Sequence, residues 1–358
     1  MHNIQKLATE VFGFRRGENI IILNDYPTAK KVSKAFDDRR DFARLWHKEL
    51  TDLARKLNLY IEPIIFYEPT GEHGAELPVE AMQGNKKINI YEKMRRLGTK
   101  DIVIAFTEFS ATGPLTNFAK RQKFRGASMP GVLEDMSALN AEPEKIAKRA
   151  KILATKLKNS RTAKVIFSTG HEMEFDFSNS KVEVDDGICK EPGTIINLPF
   201  GEAFITPNLG NGSKTQGYLP VFYDNYLVVY EVKEGKIIDV ITDSPKSREM
   251  QRYFQEDPAR GNIAEFGLGC NDKATFIGNI LQDEKIEGMH WAYGYNDYMG
   301  GKIKASDFRY QAVHMDHIYN KEAKIKVNRI KLVYKDGKEE IIMENSRYSF
   351  NIQNEFSL

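Results

Sequence analysis

Three stretches in the second half of the chain set its reading: EFGLGCN (Glu265–Asn271), ILQDEKIEGMH (Ile280–His290) and AVHMDHI (Ala312–Ile318). In the last, His314 and Asp316 stand two residues apart, so on an extended strand both point to one side while Met315 and His317 point to the other. An imidazole and a carboxylate are thereby set next to each other. The glycines of EFGLGCN let backbone bend tightly or approach a neighbouring strand closely beside Glu265. Further upstream, NLPFGEAFITP (Asn197–Pro207) adds Glu202 in a segment punctuated by Pro199, Gly201 and Pro207. Glu202, Glu265, His290, His314 and Asp316 offer oxygen and imidazole donors and no thiolate. Such a set suits Zn, Mn, Co or Fe in a working site better than a closed structural zinc. Five donors exceed the needs of one tetrahedral ion. The economical reading is two ions about 3.5 to 4 Å apart that share bridging carboxylates. On spacing alone, the plainer reading is a half-buried strand whose polar side chains face solvent.

The period of two extends outward from these stretches. Val165–Phe167, Met173–Phe177, Tyr226–Val232, Ile237–Ile241, Ile330–Tyr334 and Ile341–Met343 all read as strands. Lys233-Glu234-Gly235 and Lys335-Asp336-Gly337 are good hairpin turns, since glycine accepts positive φ at little cost. Helix is limited to Lys246–Phe254 and Lys273–Ile280. The second part is therefore a β-rich α+β metal-binding domain, residues 161–358.

Residues 1–160 alternate strand and helix signals. Ile20–Asn24 is a short apolar run closed by Asp25 and Pro27. From Val32 onward, Phe42, Leu45, Trp46, Leu53 and Leu57 fall on one helical face. Tyr60–Tyr67, interrupted by Pro63, and Ile102–Phe106 are further strands. The order predicts an α/β N-terminal domain with a mostly parallel sheet. No G-x-G-x-x-G and no G-x-x-x-x-G-K-[ST] follows the first strand, where the sequence is DYPTAKK (Asp25–Lys31), so a nucleotide site is not expected. Arg121–Ser137 reads as a surface loop running into a helix, or as a segment from which Arg121 or Arg125 meets a carboxylate. A helix over Glu142–Lys158, with Asn140 as a possible cap, leads to a boundary near Asn159–Arg161.

Composition narrows the classes. With 52 basic and 50 acidic side chains in 358 residues, the net charge of +2 gives no argument for a nucleic-acid or membrane surface. No stretch approaches the roughly 20 apolar residues of a membrane span. The opening MHNIQKLATEVFGFRRGENI lacks the apolar core of a signal peptide, which points to the cytoplasm. Cys189 and Cys270, the two cysteines, have no C-x-x-C spacing and fit a reducing compartment. His171 does not open H-E-x-x-H, because Phe175 holds the second histidine's place. His317 faces away from His314 on the strand, in a core or supporting role, while His2, His47 and His73 are structural or exposed.

GASMPGVLEDM (Gly126–Met136), DDGICKEPGTIINLPFGEAFITP (Asp185–Pro207), AEFGLGCN, GNILQDEKIEGMHWAYG (Gly278–Gly294) and AVHMDHI together resemble the thermophilic-type metallo-aminopeptidases, the leucyl aminopeptidase T family. The resemblance spans roughly Arg125 to Ile318, with a weaker echo in the first hundred residues. It implies a homodimeric exopeptidase that releases N-terminal residues from short peptides. It also implies two divalent ions (Zn, Co or Mn), with ligands on Glu202, Glu265, His290, His314 and Asp316. Tyr298 would stabilise charge on the carbonyl oxygen, with Tyr295 and Tyr293 as competitors. Glu284 would act as general base and then acid, with Glu287 as its rival. Two departures bear on pocket shape: the chain is shorter than the typical family peptidase, and the region between His290 and His314 is compressed. The sequence is also similar to ring-opening dioxygenases of hydroxylated pyridines, for which His290, His314 and Asp316 would hold one iron. A relative that binds peptide or metal without turnover is the third reading.

Overall fold

The structure is a computed structural model that describes residues 3–29 and 32–357; His2 lies outside the described residues. The chain forms two compact units. One comprises Met1–Ala147, Asp185–Phe200 and Lys273–Thr275, the other Lys148–Val184, Gly201–Asp272 and Phe276–Leu358.

The first unit is built on the apolar run Asn19–Asp25. Residues apolar on both faces can only be an inner strand of a covered sheet, and from Ile20 onward this one is buried throughout. It pairs in parallel with Ile65–Tyr67 on one side and Asp101–Thr107 on the other. Pro63, which has no amide hydrogen to donate, falls in the gap between Tyr60–Ile61 and Ile65–Tyr67. The helix Lys34–Leu57 lays Phe42 and Trp46 against Phe106, with ring centroids 5.8 and 5.5 Å apart. The edge hairpin, Glu80–Gln83 with Lys86–Asn89, runs antiparallel to Ile65–Tyr67 and within itself.

Arg125–Pro130 is an inner strand of this sheet and not a surface loop. Its small residues conceal it from β-propensity, but they are what the packing requires: a Cβ on Gly126 would lie 2.1 Å from the Val103 carbonyl oxygen. Arg125 does not serve a cleft. Its guanidinium is fully buried, pairs with both oxygens of Glu18 at 2.8 and 2.9 Å, and donates to the carbonyls of Phe12 and Cys189. Beyond it, the sheet is completed in parallel by Ile195–Asn197, from far along the sequence.

The second unit is β-rich. Eight strands form one antiparallel sheet in the order Lys236–Val240, Tyr226–Lys233, Gln216–Tyr223, Glu172–Asp176, Ser160–Phe167, Val327–Tyr334, Glu339–Glu344, Arg347–Tyr348. Glu234 and Gly235 both adopt positive φ in the turn that joins the first pair. A second sheet sets Glu202–Ile205, Ile263–Gly269, Gly288–Gly294 and His314–Asn320 antiparallel in that order. The two sheets pack through aromatic side chains. Phe266 meets Phe175 and Phe177 at 5.0 and 5.3 Å, and Tyr319 meets Phe167 at 4.9 Å.

The expected helix over Lys273–Ile280 does not form. Gly278 sits in the left-handed region, and Asn279 caps a short helix, Ile280–Asp283, that begins after it. The helix Pro143–Asn159 is present, but Asn140 closes a preceding 3-10 turn and does not cap it.

Candidate metal centre

The register of the second sheet decides which side chains meet. Glu202 lies opposite Gly269, His290 opposite Gly267, Ala292 between Glu265 and Asp316, and His314 opposite Gly294. Directly opposite residues point to the same face, so Glu202, Glu265, His290, His314 and Asp316 share one face of four strands. Each polar side chain has glycine or alanine beside it, which leaves room for converging heads. Gly267 shows the tolerance: a Cβ there would lie 1.9 Å from His290 Nε2.

The opposite face carries Trp291, Tyr293, His317 and Tyr319, packed into the sandwich core. His317 stacks 4.8 Å from Trp291, and burial drives its pKa down to about 3, so it is a neutral core ring. His171 lies on the hairpin between Ser160–Phe167 and Glu172–Asp176, bonded to Thr169 Oγ1 at 2.9 Å. His47 contacts the Glu62 carbonyl, and His73 accepts from the Ser110 amide. Both cysteines are buried.

On the polar face, Glu265 is the central residue. Its Oε1 lies 3.3 Å from His290 Nε2 and its Oε2 lies 3.1 Å from His314 Nε2. His290 Nε2 is also 3.1 Å from Glu202 Oε2, and His314 Nε2 is 3.8 Å from Asp316 Oδ1. The other ring nitrogen of His314 sits 2.9 Å from the Tyr295 carbonyl, a contact that fixes the ring and leaves Nε2 facing the carboxylates.

Glu284 follows the short helix Ile280–Asp283 and is buried with its Oε1 2.8 Å from Lys285 Nζ. Its rival Glu287 is drawn away, because its carboxylate accepts the Tyr348 backbone amide. Tyr298 stands on a 3-10 turn, Asp297–Met299, with its ring 5.9 Å from His314. Burial raises its pKa well above the ordinary value, with Tyr295, Glu265, Asp316 and Glu284 adding to the effect, so the hydroxyl keeps its proton as a donor. Tyr295 buries its ring beside Tyr298 at 5.0 Å, whereas Tyr293 belongs to the opposite face.

Among the described residues, three groups of donor atoms lie within 4.8 Å of one another: Glu202, Glu265 and His290; Glu265, His314 and Asp316; Glu284, His290 and Asp316. These residues fit a divalent ion on chemical grounds. Glu202 Oε2 is buried without a hydrogen-bond partner, a costly condition that an ion beside it would relieve. Oε2 is near His290 Nε2, but the pair does not meet hydrogen-bond geometry.

Electrostatics agree. Burial pushes Glu284 up to about 8 and Asp316 to about 6, with neighbouring carboxylates adding to the rise and cations opposing it. Burial disfavours charge on His314, yet Asp316 and Glu265 raise it to about 9, and His290 is raised well above its ordinary value by Glu202 and Glu265. Against burial, hydrogen bonds from both imidazoles hold Glu265 down at about 2. A bound dication would favour the charged form of these carboxylates and take the place of the protons on the two imidazoles.

Lys285 was not singled out in the sequence. It is fully buried, and its ammonium contacts Glu202 Oε1 as well as Glu284. Lysine is almost never fully buried unless paired. The signal available was its place between Glu284 and the apolar Ile286, which spacing alone does not distinguish from a solvated turn.

No protein-family description matches this chain, and no curated protein sequence does. Among the solved structures that share the fold over nearly the whole length are the following two. The 2,5-dihydroxypyridine dioxygenase from Pseudomonas putida KT2440 superposes with a TM-score of 0.69 at 16% identity, covering 97% of each chain. AmpT from Thermus thermophilus superposes with a TM-score of 0.60 at 15% identity, covering 97% of this chain and 98% of that one. The architecture is therefore an α/β unit plus a β-rich unit, shared with both proteins, on which buried carboxylates and histidines could hold metal.

Proposed function

We propose that the protein is a divalent-metal-dependent aminopeptidase acting on short peptides. The observation that carries this reading is the shared carboxylate: Glu265 contributes one oxygen beside His290 and the other beside His314, and the two histidines fall in different donor groups. A bridging carboxylate between two three-donor sets is the arrangement of a two-ion hydrolase. The sequence resemblance and the fold shared with AmpT point the same way.

In this role Glu202, Glu265 and His290 would hold one ion and Glu265, His314 and Asp316 the other. The ions supply Lewis acidity toward a peptide carbonyl and lower the pKa of water. The chain supplies the rest. Glu284, buried beside both sets, takes the water's proton and returns it to the departing amine. The Tyr298 hydroxyl donates to the carbonyl oxygen as charge grows on it. Tyr295, through its carbonyl, holds the His314 ring in place.

A second reading is a mononuclear Fe(II) ring-opening dioxygenase. It is favoured by the fold shared with the pyridine dioxygenase and by Lys285, a cation already installed against Glu202. The assay that separates them measures cleavage of short peptides with free and blocked N-termini after reconstitution with Zn, Co, Mn or Fe(II). The peptidase reading expects cleavage only of free N-termini, independent of oxygen, with Zn, Co or Mn. Strict dependence on Fe(II) and O₂ with aromatic substrates, and no peptide cleavage, would replace it with the dioxygenase.

A further inference from the structure

The ammonium of Lys285 sits inside the donor constellation. It contacts Glu202 Oε1 and lies 2.8 Å from Glu284 Oε1, and the side chain is fully buried. It is also pinned. The Lys285 carbonyl accepts the Asn271 amide at 2.8 Å, and its own amide donates to Gln282. The turn 284–286 presses on the strand Ile263–Gly269 at Gly269, where a Cβ would lie 2.4 Å from the Glu284 oxygen and 2.1 Å from the Ile286 oxygen. Only glycine at that position lets the turn, and with it the lysine, come so close.

This fixed cation divides the three donor groups unequally. Two of them include a carboxylate that Lys285 already contacts, Glu202 in one and Glu284 in the other. The third, Glu265 with His314 and Asp316, includes none. Glu202 is split as well: one oxygen is committed to the ammonium, and the other, beside His290, has no hydrogen-bond partner. An ion entering there gains a single oxygen from Glu202 and meets a positive charge on the same carboxylate. An ion at His314 meets neither disadvantage.

We infer that Lys285 makes the centre load in order. The first ion goes to Glu265, His314 and Asp316, and the second goes more weakly to Glu202, Glu265 and His290. This rests on the two-ion reading and sharpens it: the second position fills only at a higher metal concentration than the first. The two ions repel each other in either order of loading, and the repulsion between the ammonium and a dication on the same carboxylate widens the gap by at least about tenfold, its value at the dielectric of water.

The test is calorimetric titration of Zn(II) alone into the full-length, chelator-stripped protein. Wild type should show a tight step and a weak step. Lys285→Met, similar in volume and uncharged, should tighten the second step by at least about tenfold relative to the first, while the ions' mutual repulsion keeps the two steps apart. Lys285→Arg should preserve the gap. An unchanged or weakened second step in Lys285→Met would overturn the inference, as would two equal steps in wild type.

Should Lys285→Met fail to fold, Glu202→Gln and Asp316→Asn decide the same question in the lysine-containing protein. Glu202→Gln should keep the tight step and lose the weak one, and Asp316→Asn should lose the tight one. The reverse assignment overturns the inference while leaving the metal centre intact. A wild-type protein that takes up no divalent ion overturns both.

Discussion

Adding one methyl group at Gly267 should dismantle half of the centre. In Gly267→Ala the new Cβ would lie 1.9 Å from His290 Nε2, 2.2 Å from Cε1 and 2.7 Å from Cδ2. Ordinary contact begins near 3.4 Å, so the ring must retreat by about 1.5 Å, the difference between 3.4 and 1.9. It is fully enclosed and cannot swing into solvent. A metal–nitrogen bond tolerates about 0.2 Å. The displacement therefore removes His290 as a donor, together with its contacts to Glu202 and Glu265. Overpacking costs about 1–3 kcal/mol, which a chain of this size survives folded. Elemental analysis and zinc calorimetry should find the Glu265, His314 and Asp316 position retained and the Glu202, Glu265 and His290 position lost. Peptide cleavage should fall at least about 10²-fold, since two-ion catalysis needs both. Two ions bound with wild-type affinities and an unchanged rate would refute the assignment of His290.

Glu284→Gln should keep the metal content and lose about 10² or more in kcat, because it removes proton transfer without touching the Glu265 bridge; a rate within about twofold of wild type would exclude Glu284 as the base. Arg125→Met leaves Glu18 buried without its partner, so it should destabilise the first unit by about 3–5 kcal/mol in denaturant titration while zinc affinity is unchanged. The pH dependence should have opposite signs in the two states of the centre. In the metal-free protein the His314 pKa is raised to about 9, so its stabilising contribution is complete below 6.5 and is lost as pH rises through 9. Glu284, raised from 4.5 to about 8, favours the folded state while protonated, and stability is lost on that account as pH rises from 4.5 to 8. The metal-free melting temperature should therefore fall from pH 6.5 to 9. Zinc affinity should rise over that range, since the ion must displace those protons. Parallel pH trends in the two measurements would contradict this.

How far the sequence could be read follows from the same physics. His314 and Asp316 were legible as a pair because strand parity is a strict period of two, and the register carries that parity across four strands. The run Asn19–Asp25 announced a covered sheet through its apolar residues. Arg125–Pro130 did not, since a strand made of Gly126, Ala127 and Ser128 is chosen for close approach and not for β-propensity. That Ile195–Asn197 returns to the first sheet is a long-range pairing with no local signal. Glu284 and Glu287 were indistinguishable in QDEKIEG, and only the Tyr348 amide, brought in from the far end of the chain, separates them. Lys285 is the sharpest case. A buried lysine betrays itself through its partners, and one of its two, Glu202, lies more than eighty positions away.

Two ions bridged by Glu265 would be visible in anomalous diffraction from crystals of the protein loaded with excess zinc. Two peaks are expected about 3.5 to 4 Å apart, one beside His290 and one beside His314, with a Glu265 oxygen facing each. A single peak held jointly by His290, His314 and Asp316, with Glu265 and Glu202 unengaged, would contradict it.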